Sequence, residues 1–176
     1  GWYDDKAEGW HRDVKVGDMD KGHAGLQLLK AIISTVPGVP CIYQGDEYGV
    51  PGANDPDNRD MMTFQCENDY QVREFEQTKA LFNARRNSIA LNYGDFRTLY
   101  VDDEAWVFLR HYMGNWTIVA LNVRTNEKAI TVELPAFAKC GSLNTSVATE
   151  GAAVKCLGEG KIEVTLPAYG YIIANK

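Results

Sequence analysis

The sequence contains no apolar run approaching the ~18 residues that mark a candidate membrane helix, so no membrane span is expected. It has no basic cluster beyond Arg85-Arg86. Its 24 acidic against 18 basic side chains leave a net charge of -6, which argues against nucleic acid as a partner. Cysteine is limited to Cys41, Cys66, Cys140 and Cys156, with no C-x-x-C pair and no metal-ligand spacing. No stretch carries the alternating oxygen donors of a calcium loop, and neither a metal nor a cofactor is expected. A signal-peptide pattern is missing and the chain opens on Gly1, which reads as a fragment or processed form of a longer protein. The compartment stays open, with a periplasmic or cell-surface location in a bacterium as one reading.

What is present suits a soluble globular chain of one domain or two small ones, with material for a real core. Residues 22–36 place Leu26, Leu29, Ile32, Ile33 and Val36 at three- and four-residue steps, predicting an amphipathic helix. Asp18 or Asp20 would cap its start, and Pro37-Gly38 would stop it. Met19 and His23 read as parts of a packing surface. A second helix is expected over 68–90, with Asn68 or Asp69 as N-cap and Val72, Phe75, Leu81 and Phe82 as its apolar face. Arg85 and Arg86 suit the negative end of its dipole.

Between the helices, Val39-Pro40-Cys41-Ile42-Tyr43 is a short apolar run bounded by turn residues, as in a strand buried on both faces. Cys41 would then be a small core hydrophobe. A long irregular loop rich in Gly, Pro, Asn and Asp follows it. Helix, buried strand and polar loop are how an α/β protein builds a site at the carboxyl end of a strand. Asp46 and Glu47 sit side by side and would point in opposite directions on an extended backbone. They cannot converge on one substrate bond as a paired acid and base, so a structural role is expected. Asp55 and Arg59 are the candidate substrate-binding residues. The run D-P-D-N-R holds an acid and a guanidinium four residues apart, a carboxylate accepts from ligand hydroxyls, and an arginine fork donates to them. A loop-stabilising Asp55–Arg59 pair is the plain structural reading, and both roles can hold together. Asn54, Asp57 and Asn58 read as turn formers.

The segment G-V-P-C-I-Y-Q-G-D-E-Y-G-V-P-G-A-N-D-P-D-N-R-D-M-M, residues 38–62, resembles a segment of the α-amylase family of glycoside hydrolases. The resemblance is to the neopullulanase, cyclomaltodextrinase and Bacteroides-type amylase subgroup, and it extends without gaps over more than twenty positions. It implies that this segment is the eighth strand of a (β/α)8 barrel with the loop after it. It also implies that the residues matching Asp55 and Arg59 contact glucose units on the non-reducing side of the scissile bond. L-F-N-A-R-R-N-S-I-A-L-N-Y-G-D-F resembles the end of the last barrel helix, and L-P-A-Y-G-Y-I-I the last strand of the family's C-terminal domain. The family's catalytic Asp, Glu and Asp lie on earlier strands, the last of them in an Asn-His-Asp motif. None of His11, His23 and His111 is followed by Asp. No catalytic residue is therefore assigned, and the chain reads as the tail of an enzyme, inactive alone.

From Tyr93 the hydrophobic period changes from 3.6 to 2. Strands are expected at 96–101, 105–113, 116–123, 129–134, 145–149, 161–166 and 169–174, giving an antiparallel sandwich. The clearest hairpin turns at Gly114-Asn115 between two central strands. Trp106 and Trp116 read as core, with exposed sugar platforms as the alternative, and Trp10 and His11 carry the same two readings near the cleft. Cys140 and Cys156 flank one candidate hairpin region; a disulfide and two free thiols are both open.

The fold class expected is α+β, made of the last strand and helices of a TIM barrel (residues 1–92) followed by an antiparallel β-sandwich (93–176). Charge divides as -5 and -1 between these parts, from 10 basic and 15 acidic against 8 and 9. The expected function is the C-terminal part of a retaining hydrolase of α-glucans or maltooligosaccharides. A stand-alone carbohydrate-binding or structural module and an inactive family member are the other readings. The rest of the barrel is the expected partner. Without it, apolar faces are left to drive self-association.

Overall fold

The computed structural model describes residues 17–52, 55–141 and 143–176; Trp10, His11 and Asn54 lie outside them. The elements are helices α1 (Met19–Thr35), α2 (Asp69–Asn87) and α3 (Ile89–Tyr93), then eight strands. These are β1 (Asp95–Val101), β2 (Ala105–Tyr112), β3 (Asn115–Asn122), β4 (Lys128–Glu133), β5 (Asn144–Ala148), β6 (Ala153–Gly158), β7 (Lys161–Leu166) and β8 (Tyr171–Asn175). The class is α+β with every strand pair antiparallel.

One sheet runs β1-β2-β3-β8-β5 and the other β4-β7-β6. Side-chain alternation gives the central strands β2, β3 and β8 of the larger sheet two jobs. Val107, Leu109, Trp116, Ile118 and Ile172 point into a core shared with Ile130, Ile162 and Val164 of the smaller sheet. Phe108, Val119, Leu121, Tyr171 and Ile173 point the other way and pack on Leu28, Ala31, Leu81 and Leu91 of the helices. The molecule is thus helices on sheet on sheet. β2 and β3 are apolar on both faces, as expected, because both their faces are covered. Bulges interrupt β1 at Thr98/Tyr100, β5 at Thr145/Val147 and β6 at Cys156/Gly158.

Helix caps follow the sequence. Asp18 accepts from Lys21 N at the start of α1, and Asn68 accepts from Gln71 N at the start of α2. The second helix does not run on to residue 90. Ser88 takes extended backbone, its Oγ accepts from Leu91 N and hydrogen-bonds Thr117 Oγ1 of β3, and α3 begins there.

Two buried guanidiniums fasten the helical layer, one within it and one to the larger sheet. Arg85 of α2 donates to the carbonyls of Ser34, Val36 and Gly38 at the end of α1. Arg110 of β2 donates from Nη1 to Thr35 O at 2.6 Å, and from Nη2 and Nε to Gly94 O at 2.9 and 3.3 Å. These carbonyls are ones a helix end leaves without partners, at the negative pole of its dipole. Burial pushes the Arg110 guanidinium down from its ordinary value, and neighbouring Arg85 adds to this.

Several expectations are corrected. Residues 39–43 form no strand: Val39 is 94% exposed and Cys41 is exposed, so Cys41 is not core. A buried strand needs neighbours for its backbone N–H and C=O groups, and no described strand runs alongside. The buried face of α1 is Leu28, Lys30, Ala31, Ser34 and Thr35, while Leu29 is half exposed. On α2 it is Gln71, Glu74, Thr78, Leu81 and Arg85, with Val72 and Phe75 outside. Polar groups can be buried where they satisfy one another, which a hydrophobic pattern does not register. The hairpin turn is Met113-Gly114, both at positive φ (47° and 83°), with Asn115 already in β3. Strand β6, an edge of the smaller sheet, was not anticipated; its run A-V-K-C-L-G turns only Val154 and Cys156 toward the core between the sheets, and both are only partly buried. Trp116 is core at 1% exposure, and Trp106 is half-buried on the helical side, its Nε1 donating to Thr98 Oγ1. Cys140 and Cys156 are disulfide-bonded, their Cα atoms 6.0 Å apart.

Candidate functional site

The loop leaving α1 is built from two tight turns. Gly45 (φ +94°) and Gly49 (φ +68°) bracket the 3-10 turn Asp46–Tyr48, and both take the left-handed backbone that glycine adopts without strain. The adjacent acids stabilise this turn. Asp46 Oδ2 accepts from Tyr43 N at 3.1 Å and Glu47 Oε2 accepts from Gly45 N at 2.8 Å. One oxygen of each carboxylate is engaged by backbone, which is the structural role expected of them.

The second turn is the 3-10 segment Asp57–Arg59, where Arg59 N donates to Pro56 O. Asp55 and Arg59 are brought together, Nε to Oδ1 at 2.9 Å. Arg59 is 72% exposed, so the pair contributes little to stability, while its outward fork is accessible. Gln44 Nε2 donates to Asp60 O at 2.9 Å and ties the two turns across the loop.

Between the turns lies a cavity of about 350 Å³, walled by Tyr43, Asp46, Asp57, Asn58, Asp60 and Met61 among others. Asp55 and Arg59 stand beside this cavity and do not line it. Asp57 and Asn58 form the turn, as expected, and also face the cavity, which was not expected. The wall mixes carboxylates, an amide, an aromatic ring and a thioether. Such a set accepts hydroxyl hydrogen bonds and offers apolar surface to C–H faces, a complement to a polyhydroxylated ligand. Among the described residues no cluster of three or more His, Cys, Asp or Glu side chains could hold a metal ion.

Sequence reasoning missed what lies under the first turn. Glu74, 1% exposed, receives Lys30 Nζ at 2.7 Å, His23 Nδ1 at 2.9 Å and Gln27 Nε2 at 3.2 Å. The Tyr48 ring stacks on Phe75 at 5.2 Å, and Thr78 Oγ1 donates to Glu47 O at 3.3 Å. His23, read as packing surface, stacks on Tyr70 at 4.7 Å and belongs to this network. The signal was present: Gln71, Glu74, Thr78, Leu81 and Arg85 recur at steps of three, four, three and four.

No family model matches the chain. It is 33% identical over 163 residues to a cyclomaltodextrinase of Geobacillus thermopakistaniensis, covering 89% of this chain and 25% of that protein. It is 33% identical over 114 residues to neopullulanase 2 of Thermoactinomyces vulgaris, covering 64% and 19%. Its fold superposes on a debranching enzyme from Nostoc punctiforme with TM-score 0.73 and 27% identity, over 87% of this chain and 31% of that one. In sequence and fold the chain thus matches a C-terminal part of α-amylase-family glycoside hydrolases. Its curated relatives are cyclomaltodextrinases, neopullulanases and amylopullulanases. The chain spans a quarter or less of these relatives' lengths.

Proposed function

We propose that this chain is the C-terminal portion of a retaining hydrolase of α-glucans or maltooligosaccharides. Residues 1–92 end the catalytic barrel, and residues 93–176 form a β domain that supports it. The chain supplies a sugar-binding loop and leaves the catalytic carboxylates to the preceding part of the barrel. The observation carrying this reading is the loop over residues 38–62. Its family-like sequence folds into two braced turns around a polar cavity of about 350 Å³. Asp55 and Arg59 contact glucose units at the cavity's edge, Arg59 through its exposed fork. The alternative, a stand-alone carbohydrate-binding module, would be favoured by a row of exposed aromatics on one sheet. The inward Trp116 and the half-buried Trp106 favour the supporting role. The Cys140–Cys156 disulfide supports maturation in an oxidising compartment, such as a periplasm or cell surface.

The test compares α-glucan hydrolysis by this chain with hydrolysis by the same chain extended upstream through a full barrel. Activity is expected only in the extended protein, with KM raised by Asp55→Ala and Arg59→Ala. Turnover by this chain alone would refute the division of labour.

A further inference from the structure

The buried charge cluster on α1 and α2 has no role in the reading above, yet it lies directly beneath the loop. We propose that Glu74 is a positioning residue for the sugar-binding loop, acting through Gly49. This rests on the reading of that loop as the sugar site.

Three donors from α1 converge on the Glu74 carboxylate and fix its rotamer, Lys30 on one oxygen and His23 and Gln27 on the other. The side chain so fixed is the floor of the first turn. A Cβ on Gly49 would lie 2.9 Å from Glu74 Cγ and 3.0 Å from His23 Cε1, so the turn rests on them at closest approach. From that seat the turn reaches the site, because Gly45 and Asp46, four and three residues before Gly49, line the cavity. A carboxylate with three donors holds one geometry. A neutral amide there leaves the buried Lys30 ammonium without its counter-charge and releases the floor.

The experiment is amide hydrogen exchange on the 176-residue chain carrying Glu74→Gln, followed by maltohexaose kinetics of the same variant in the barrel-extended protein. Exchange at residues 45–50 is expected to rise by about tenfold while β2, β3 and β8 stay unchanged, since local opening is separable from global unfolding. KM is expected to rise with kcat within about twofold, the signature of lost binding geometry. Should Glu74→Gln loosen the whole chain, Lys30→Gln/Glu74→Gln leaves no buried charge unpaired and is expected to show the local effect alone. Loop exchange unchanged in both variants overturns the proposal. So does loop exchange that rises only in step with the sheets, or a KM unmoved when Asp55→Ala raises it. Loosened loop exchange with no KM change in either Glu74→Gln or Asp55→Ala leaves the seat standing and refutes the sugar reading instead.

Discussion

Replacing Arg110 with methionine is expected to weaken the hold of the larger sheet on the helices. Arg110 is 1% exposed and makes three donor contacts to two carbonyls, Thr35 O at the end of α1 and Gly94 O after α3. Methionine matches the apolar stem and removes every donor. Hydrogen bonds to a charged group contribute about 1.5–3 kcal/mol each, and two carbonyls lose this donor; relief of the guanidinium's own desolvation offsets part of the loss. A net cost of about 3 kcal/mol follows, a large fraction of the ~5–15 kcal/mol that holds a domain folded. At about 2–4 °C per kcal/mol for a chain of this size, the melting temperature falls by about 6–12 °C. Arg110→Lys is the sharper comparison. One ammonium cannot hold both carbonyls in the planar fork's geometry, and about half the loss is expected. Urea unfolding followed by circular dichroism reads both values. A cost below about 0.5 kcal/mol for Arg110→Met would show that the carbonyls are satisfied without the guanidinium and refute the role given to Arg110.

Gly94→Ala is expected to destabilise by about 1–3 kcal/mol or more, because the added Cβ would meet backbone atoms, Ala90 O at 2.3 Å and His111 O at 2.8 Å; thermal denaturation checks it. Reducing the Cys140–Cys156 bridge, which spans 16 residues, should cost about 3 kcal/mol by loop entropy; a melting temperature unmoved by reductant would contradict this. The Asp102 carboxyl is held well below its usual range, first by Lys128 and then by Tyr100. A depressed carboxylate stabilises above its unfolded value and loses that contribution as pH falls through the folded one. Lys128→Met should therefore lower stability between pH 5 and 8, where this contribution is fully present, and the two stability profiles should converge as pH falls below about 4; acid titrations of both proteins compare the two limbs. The side chains of Val39, Met61 and Phe64 project into solvent. Gel filtration should show this chain self-associating, and a compact monomer at all concentrations would count against the missing-barrel explanation.

Most strands were legible because the central strands of the larger sheet are covered on both sides and β4 and β7 of the smaller one alternate cleanly, as in the buried Ile162, Val164 and Leu166 of β7. The caps Asp18 and Asn68 were legible because their chemistry is local. What misled the reading of the helices was the assumption that the buried stripe is the apolar one. On α2 the apolar Val72 and Phe75 lie outside and Glu74 and Arg85 inside, since the latter find partners on α1 that no single-helix pattern reveals. The strand expected at 39–43 failed for a related reason: its apolar residues anticipate neighbours that the described part of the chain does not provide. At the site, pairing of Asp55 with Arg59 could be read from their spacing. The cavity beside them could not, because it forms where Gln44 and Asp60 bring two separate turns together.

The bulges in β1, β5 and β6 bear on how this chain meets copies of itself. They fall on three of the four outermost strands, so most of the ladder ends are irregular and offer a poor template for an added strand. Assemblies of the chain should therefore be held by greasy side chains of the helical half and not by backbone pairing. They should dissolve in mild detergent, leave amyloid dyes dark, and keep each protomer's sheets intact.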